Sequence, residues 1–222
     1  MEKKTIKFKF SKFLLDIFID VVIVFVLVLF IRHFIFAPFR VHGPSMCDTF
    51  NVYDGECFSG DGEYLITSRL PLNSIFGWQI AEIDRGDVVI FQAPEGEKGE
   101  YFIKRVIGVP GDKLKIANGN VYVMNENDEY VELEEPYLSE ENQGQTIPYR
   151  TEEAYYEVPE GSLFVLGDNR KKSSDSRRCF KSLGCDDDST PYLDENLLEG
   201  EVKAVIFPLS HIRWIKEMEY SI

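Results

Sequence analysis

Two residues of the chain have the types and local settings that nucleophilic catalysis requires. Ser45 lies in the segment VHGPSM, where a tight Gly-Pro loop can expose its hydroxyl group. Lys104 lies in the apolar segment YFIKRVIGVPGD, and on a strand it would share a face with Phe102 and Val106. Desolvation on such a face lowers the pKa of a lysine, and a neutral amine can accept the proton of a serine hydroxyl. The pair therefore predicts a nucleophile, Ser45, with Lys104 as its general base, although each residue alone is more simply a loop serine or an ion-paired or snorkelling lysine.

Other catalytic arrangements have weaker support in the sequence. A Ser-His-Asp triad would need His42 or His211, and neither lies in a recognisable partner motif. The third histidine, His33, lies beside a long apolar segment. We interpret all three as surface or packing residues. The cysteines show no CxxC or Cys/His ligand spacing, so we predict neither a metal site nor a cofactor.

The residues after Pro38 are organised as short β-rich runs that must position these side chains. Turn signals such as RGD, PGD, ANGN and LGDN separate the runs, and few long segments with a period of 3.6 residues occur. This pattern predicts a mainly β fold, an antiparallel β-sheet catalytic domain with long loops. An acidic segment poor in aliphatic residues, 125–160, is predicted to be an inserted lobe. The predicted strands are 64–67, 87–91, 101–109, 113–116, 120–124, 162–166 and 201–207.

One apolar segment precedes the β-rich part. Residues 13–31, FLLDIFIDVVIVFVLVLFI, would extend about 28 Å as a helix, close to the thickness of the hydrocarbon core of a bilayer. Five lysines lie before it, and only Arg32 and His33 follow directly, which predicts a cytoplasmic N-terminus. A cleaved signal peptide and a buried soluble helix are the alternatives. The first is disfavoured because the run is long and RHFIFAPFR contains no small-x-small triplet.

The predicted organisation therefore has three parts. A basic cytoplasmic tail covers 1–12, a single transmembrane signal anchor in the plasma membrane covers 13–36, and an extracytoplasmic β-rich domain covers 37–222. The chain of 222 residues has a net charge of −14, with about +3 on residues 1–36 and −17 on the rest. Such an acidic domain argues against nucleic acid as a partner, since phosphates are neutralised by Lys and Arg. The bilayer is an expected partner of the anchor.

Four cysteines, Cys47, Cys57, Cys179 and Cys185, fall in the predicted outer domain, where disulfide bonds can form. Three pairings are possible. Local pairing, 47 with 57 and 179 with 185, requires the fewest assumptions, and free thiols remain open.

Four segments, in this order along the chain, resemble the sequence boxes of the type I signal peptidases, the membrane-bound Ser/Lys leader peptidases of peptidase family S26. VHGPSM followed by Thr49 is similar to the serine box, and RGDVVIF to the Gly-Asp strand box. YFIKRVIGVPGD resembles the lysine box, and FVLGDNRKKSSDSR the final box. The similarity covers most of 38–215. It implies a membrane-anchored serine endopeptidase that cleaves N-terminal signal peptides from exported preproteins after small-x-small sites.

The resemblance also implies roles for residues around Ser45 and Lys104. Ser173 would hydrogen-bond and orient the lysine, and Asp175 and Arg177 would form a supporting ion pair. Residues of the turn GDN would shape the loop behind the dyad: Gly167, Asp168 and Asn169. The backbone N–H of Ser45 would line the oxyanion hole. Substrate pockets for small residues at −1 and −3 would be lined by Val41, Met46, Phe50, Phe102 and Ile103.

The sequence departs from the family pattern at several places. Asp48 stands where the family usually has proline, and Gly43 stands where some members have a serine that adds an oxyanion donor. The segment 50–63 is longer and more polar than usual, and RCFKSLGCDDDSTPYL replaces the aromatic-Gly pattern after DSR. These changes affect the pocket rim and the substrate preference, and they leave the dyad intact. Two other hypotheses are considered for the whole chain: a catalytically silent signal-peptidase-like binding or assembly module, and another Ser/Lys protease such as a self-cleaving repressor relative.

Overall fold

A long N-terminal helix leads directly into a β domain in the computed structural model of the chain. The structure describes residues 2–72, 74–75, 78–79, 81–94, 99–216, 218 and 220. Helix α1 covers Glu2–Phe34. The strands are β1 (Phe36–His42), β2 (Val52–Tyr53), β3 (Glu56–Cys57), β4 (Asp61–Ser68), β5 (Ser74–Ile75), β6 (Trp78–Gln79), β7 (Val88–Gln92), β8 (Tyr101–Gly108), β9 (Lys113–Ala117), β10 (Asn120–Met124), β11 (Tyr130–Glu132), β12 (Glu153–Glu157), β13 (Ser162–Leu166), β14 (Leu193–Asp194), β15 (Leu198–Phe207) and β16 (Arg213–Trp214). Short 3-10 helices cover Leu70–Leu72, Ser176–Arg178, Glu195–Leu197 and Leu209–His211.

Two antiparallel sheets form the body of the domain. The larger has the strand order β1-β4-β15-β7-β8-β13-β14, with β16 paired to β15. The smaller has the order β11-β10-β9-β12, and two short hairpins, β2-β3 and β5-β6, lie apart from both sheets. The mainly antiparallel β fold predicted from the sequence is therefore confirmed.

All seven predicted strands are present, with ends that differ by a few residues. β4 and β15 are each three residues longer at their N-terminal ends than the runs 64–67 and 201–207 indicated. β1 and β12 were not predicted. In β1 the alternation is obscured because Pro38 interrupts it, and β12 contains two tyrosines between acidic residues, which gives little hydrophobic signal.

The apolar segment at the N-terminus forms the predicted helix. Its part from Lys12 to Phe34 has 23 residues and a mean hydropathy of 3.1, and it is long and apolar enough to cross a membrane. The helix ends at Phe34 and β1 begins at Phe36, so the last residue of the predicted anchor belongs to the sheet. Pro38 explains this boundary, because proline and the residue before it disfavour the helical conformation.

The site depends most on how β8 lies within the larger sheet. β8 pairs with β7 on one side and with β13 on the other, and Val89 is the register partner of Lys104. Residues 103–108 of β8 are all buried. Both faces of the strand pack against core clusters, one containing Ile103 and the other containing Val106. A side chain in the middle of β8 therefore has little access to water.

The segment 125–160, predicted as an inserted lobe, supplies β11 and β12 to the smaller sheet. Between these strands runs a loop, 133–152, whose residues reach the candidate site described below. The two disulfide bonds join Cys47 to Cys57 and Cys179 to Cys185, which is the local pairing.

Candidate active site

The structure brings Ser45 and Lys104 into direct contact. Ser45 lies in the turn that follows β1, and Lys104 lies in the middle of β8. Their Oγ and Nζ atoms are 2.9 Å apart, and Lys104 Nζ also donates to the carbonyl oxygen of Ile103 at 2.9 Å. The Phe102 ring centroid lies 5.2 Å from the same nitrogen. The nucleophile and base predicted from sequence thus have the geometry of a hydrogen-bonded pair.

Burial adjusts the basicity of this lysine. Lys104 is only 3% exposed. Desolvation lowers the pKa of its ammonium group to about 8, while the carboxylates of Asp175 and Asp168 act in the opposite direction. Near physiological pH, a substantial fraction of the protein molecules therefore has a neutral Lys104 side chain, which is the form that a general base requires.

Backbone geometry, buried side chains and a hydrogen bond from the loop after β13 fix the turn that carries Ser45. Gly43 has a φ of +83°, which a residue with a side chain rarely adopts. Met46 and Phe50 are fully buried beneath the turn, where the N–H of Phe50 donates to the carbonyl of Met46 at 2.8 Å. The Ser45 carbonyl accepts from the N–H of Asn169 at 3.1 Å. The Ser45 N–H donates to no group in the described parts of the chain, so it can donate to a developing oxyanion.

The loop after β13 approaches this turn so closely that Gly167 cannot be replaced without a shift. A Cβ atom there would lie 2.3 Å from Ser173 Oγ and 2.5 Å from the Ser45 carbonyl oxygen. Those two oxygens are therefore less than 5 Å apart. Ser173 Oγ is buried and makes no hydrogen bond of normal geometry with the described residues, although it lies near enough to Asp175 to help lower the pKa of that carboxyl. The implied bond to Lys104 is not made in this conformation.

A buried ion pair holds the end of this loop. Asp175 accepts from Arg177 Nε at 2.9 Å and Nη2 at 2.8 Å, and it also accepts from the N–H of Gly167 at 3.1 Å. Burial alone would raise the pKa of Asp175, but the charge and hydrogen bonds of Arg177 outweigh it and lower that pKa. The pair implied by the family resemblance is thus present as a contact, and it orients Gly167 rather than touching the dyad.

A second buried ion pair was not anticipated from the sequence. Arg105 donates to Asp168 from Nε at 2.9 Å and from Nη2 at 2.7 Å, and its Nη1 donates to the Gly86 carbonyl at 2.8 Å. Asp168 also accepts from Thr49 Oγ1 at 2.5 Å. Arg105 Nη2 donates to Thr49 Oγ1 as well, at 3.1 Å, so Arg105 joins all four sequence boxes. The only signal was its position next to Lys104, which places it on the opposite face of β8.

The loop 133–152 is attached to the site at two points. Asp48 accepts from the N–H of Ser139 at 2.8 Å and from the amide of Asn142 at 3.0 Å. Arg170 donates to Glu135 at 2.9 Å and also hydrogen-bonds Thr146. The residue that replaces the usual proline thus connects the nucleophile turn to the lobe.

A cleft of about 300 Å³ extends from the dyad between β1 and the first half of β8. Of the predicted pocket residues, Val41, Phe102 and Ile103 line it, whereas Met46 and Phe50 lie below it in the core. Further lining residues that sequence reasoning did not identify are Phe39, Leu65, Ile90, Tyr101, Lys172 and Ser174. At the far end, the rings of Phe39 and Tyr101 meet edge to face at 5.4 Å.

His42 also lines this cleft, and its Nδ1 lies 3.0 Å from Asp61. This pair is a partial match to a Ser-His-Asp arrangement, but His42 is exposed and makes no hydrogen bond to Ser45 in the described structure. His211 contacts buried Glu63 at 3.2 Å, away from the dyad. No group of three or more His, Cys, Asp or Glu residues that could hold a metal ion occurs among the described residues.

A family model and several curated proteins are similar to this chain over most of its length. The family described as Signal peptidase, peptidase S26, matches residues 14–207. Signal peptidase I of Bacillus licheniformis is 33% identical over 196 residues, which cover 87% of this chain and 88% of that protein. Signal peptidase IB of Staphylococcus aureus strain MRSA252 is 31% identical over 216 residues, with 92% and 95% covered. A crystal structure of a signal peptidase I from Enterococcus faecalis V583 is 26% identical, with a TM-score of 0.40 and coverage of 55% and 97%.

Proposed function

The chain belongs to the signal peptidase family, peptidase S26, and from this membership we propose that Ser45 and Lys104 are the catalytic dyad with which it cleaves preproteins. It is a serine peptidase of the signal peptidase I type, and its substrates are preproteins that carry signal peptides. The observation that carries the dyad assignment is the 2.9 Å contact between Ser45 Oγ and Lys104 Nζ in a desolvated setting. No histidine makes the equivalent contact in the described residues.

The proposed reaction has two halves. Neutral Lys104 takes the proton of Ser45 as Oγ attacks the scissile carbonyl carbon, and the unpaired N–H of Ser45 stabilises the oxyanion. The lysine then gives this proton to the leaving amine, which departs as the new N-terminus of the mature protein. A water molecule, deprotonated by Lys104, attacks the acyl-enzyme and releases the signal peptide with a free carboxylate.

The cleft favours an extended substrate. Among the described strands, β1 pairs with β4 alone, so its other edge can accept the backbone of an added strand. In an extended peptide, the residues at −1 and −3 point to the same side. Large side chains, among them Ile90, Phe102 and Ile103, already line the cleft. We therefore expect small residues at both positions, as the family resemblance implies.

Ser173 is proposed to orient Lys104 in the working enzyme. Its hydroxyl is buried and makes no hydrogen bond of normal geometry with the described residues, and it lies less than 5 Å from the Ser45 carbonyl oxygen. An unpaired buried hydroxyl is costly, so a bond to the protonated lysine during catalysis would compensate for the desolvation of both groups. Helix α1 is proposed to anchor the domain, with the dyad on the outer side of the membrane.

The test is cleavage of a preprotein with a small-x-small site by the detergent-solubilised full chain. Ser45→Ala and Lys104→Met should each lower the rate by about 10³-fold or more, because each removes an essential part of one catalytic unit. The matched control is Lys113→Met, which removes an exposed lysine of β9. All variants should show the same thermal unfolding midpoint within a few degrees.

His42→Ala separates this proposal from a Ser-His-Asp mechanism. A Ser/Lys enzyme keeps most of its activity in this variant, whereas a triad enzyme loses it as completely as in Ser45→Ala. No cleavage of any preprotein by the folded wild type would instead favour the silent binding module.

A further inference from the structure

A second cleft, of about 330 Å³, lies on the other side of the segment 170–174 from the catalytic cleft. Its lining contains five basic residues and no aspartate or glutamate. The basic residues are Arg150, Arg170, Lys171, Arg177 and Arg178. Such a concentration is unexpected in a chain with a net charge of −14. We call this feature the basic cleft.

Only two of these cations are neutralised by neighbouring carboxylates. Arg170 is paired with Glu135, and Arg177 is paired with Asp175. Arg150, Lys171 and Arg178 make no ion pair with any described residue. The guanidinium groups of Arg150 and Arg178 lie 4.7 Å and 5.7 Å from the centroid of the Tyr149 ring, which therefore lies close to both. The basic cleft thus has positive charge available for an anionic ligand.

One buried polar atom at the basic cleft lacks a partner. The Nε of Arg178 is buried and has no hydrogen-bond partner in the described structure. Unsatisfied buried donors are uncommon in folded proteins, and a ligand that accepts hydrogen bonds accounts for this one.

The basic cleft is adjacent to the catalytic cleft. Along the segment that separates the two, residues alternate: Lys172 and Ser174 line the catalytic cleft, whereas Lys171 and Ser173 line the basic one. A peptide that leaves the dyad at this end therefore passes directly over positive charge.

The direction of the substrate follows from β1. This strand starts at Phe36, two residues after the helix proposed to cross the membrane, and runs past Phe39 towards Ser45. A signal peptide arriving from the membrane would lie along Phe39 and Val41, in the apolar part of the catalytic cleft. The residues after the scissile bond must then leave on the opposite side of the dyad, where the segment 170–174 lies.

We propose that the basic cleft binds acidic residues of the substrate that follow the scissile bond, at the start of the mature region. Carboxylates suit it because they carry the complementary charge and accept hydrogen bonds from guanidinium groups and hydroxyls. The assignment rests on the proposed function, since it requires a peptide at the dyad. It makes Arg150, Lys171 and Arg178 specificity-determining residues.

The test compares three preproteins that share one signal peptide, one cleavage site and one residue at +1. Positions +2 to +5 are Asp/Glu, Asn/Gln or Lys, and the full chain is used in uncharged detergent. We expect kcat/KM for the acidic substrate to exceed that for the neutral one by roughly three- to tenfold, mostly through KM, since partly exposed ion pairs are individually weak. The ratio should fall towards one at about 0.5 M salt.

Two variants tie the preference to the basic cleft. Lys171→Glu should abolish the preference for the acidic substrate and create a preference for the lysine substrate. Arg178→Gln should reduce the preference for the acidic substrate. Lys113→Glu has the same charge change at an exposed site on β9 and should leave the ratio as in the wild type.

The outcomes separate this inference from the proposed function. Failure to cleave any of the three preproteins would overturn the function itself. Cleavage of all three at equal rates, or a charge preference that Lys171→Glu leaves intact, would overturn the subsite alone. Equal rates combined with a stimulation by anionic phospholipid that depends on Arg178 would assign the basic cleft to lipid headgroups instead, and would equally overturn it.

Discussion

Lys104 must satisfy two opposing requirements at the residue scale. Burial lowers its pKa by disfavouring the ammonium form, but the proposed catalytic cycle passes through that form. Asp175 and Asp168 limit the shift, because their carboxylates favour the charged lysine from behind the site. With a pKa of about 8, about a tenth of the side chains are neutral at pH 7, against about 3 in 10⁴ for an unperturbed lysine. The gain in active base is more than two orders of magnitude.

The pH dependence of cleavage follows from this pKa. The rate depends on the neutral form, so kcat/KM should rise about tenfold per pH unit below pH 8 and level off above it. The measurement is kcat/KM between pH 6 and 10 on one preprotein, with intrinsic fluorescence to confirm that the fold is unchanged. An acidic limb near 10.5 would contradict a buried base, and a limb near 6.5 would indicate a histidine.

The contact between Ser45 and Lys104 could be anticipated from sequence because each residue lies in a segment whose composition limits its surroundings. Ser45 follows a Gly-Pro turn, and Lys104 interrupts an apolar strand. The partners that hold them could not be predicted in the same way. Arg105 and Asp168 are 63 positions apart, and no local pattern pairs them. Met46 and Phe50 show the same limit, since sequence position placed them in the pocket and packing placed them beneath it.

At the scale of elements, the site is assembled where three loops and two strands meet. β1 and β8 provide the walls of the cleft, and only the strand character of β8 is visible in the sequence, since Pro38 interrupts the alternation in β1. The loop 133–152 is different. It has little hydrophobic signal, yet it reaches the nucleophile turn through Asp48 and the GDNR turn through Arg170. The family resemblance would put a proline at the position of Asp48, and this chain has a cross-link to the lobe there instead.

Removing the cross-link through Asp48 should slow catalysis, although Asp48 is not part of the proposed dyad. Asp48→Ala leaves the N–H of Ser139 and the amide of Asn142 without their acceptor, and we expect a loss of about 1–3 kcal/mol in the free energy of unfolding. We also expect kcat to fall by roughly three- to tenfold with little change in KM, because the turn carrying Ser45 loses its support. Asp48→Asn, which keeps one acceptor oxygen, should fall between.

Hydrogen exchange of residues 139–146 distinguishes a local loosening of this loop from a general loss of stability. In Asp48→Ala this segment should exchange faster, while β7 and β8 exchange as in the wild type. The control is Glu153→Gln, which removes the exposed ion-pair partner of Lys115 on the smaller sheet. This variant should change neither kcat nor hydrogen exchange at 139–146. Unchanged exchange at 139–146 in Asp48→Ala would mean that the lobe is held by its other contacts.

At the scale of the whole molecule, the distribution of charge separates the two ends of the chain. The first 36 residues carry about +3, and the remaining residues carry about −17. A helical stretch of 23 residues, Lys12–Phe34, with a mean hydropathy of 3.1, joins these parts. Ser45 follows the end of that helix by eleven residues, so the proposed anchoring by α1 would hold Ser45 close to the membrane surface on the side of the β domain. A membrane-inserted signal peptide would become accessible at the same place.

The orientation of the helix is the last prediction. Lysines before an apolar helix retain its N-terminus in the cytoplasm, so the β domain should lie outside. A C-terminal alkaline phosphatase fusion, which folds only where disulfides form, should be active in a bacterial host. Changing Lys3, Lys4, Lys7, Lys9 and Lys12 to Gln should lower this activity relative to the amount of fusion protein, whereas Lys113→Gln should not. An inactive wild-type fusion that is present at normal levels would place the dyad in the cytoplasm. The two disulfides, which link Cys47 to Cys57 and Cys179 to Cys185, would then lack the oxidising environment that they require.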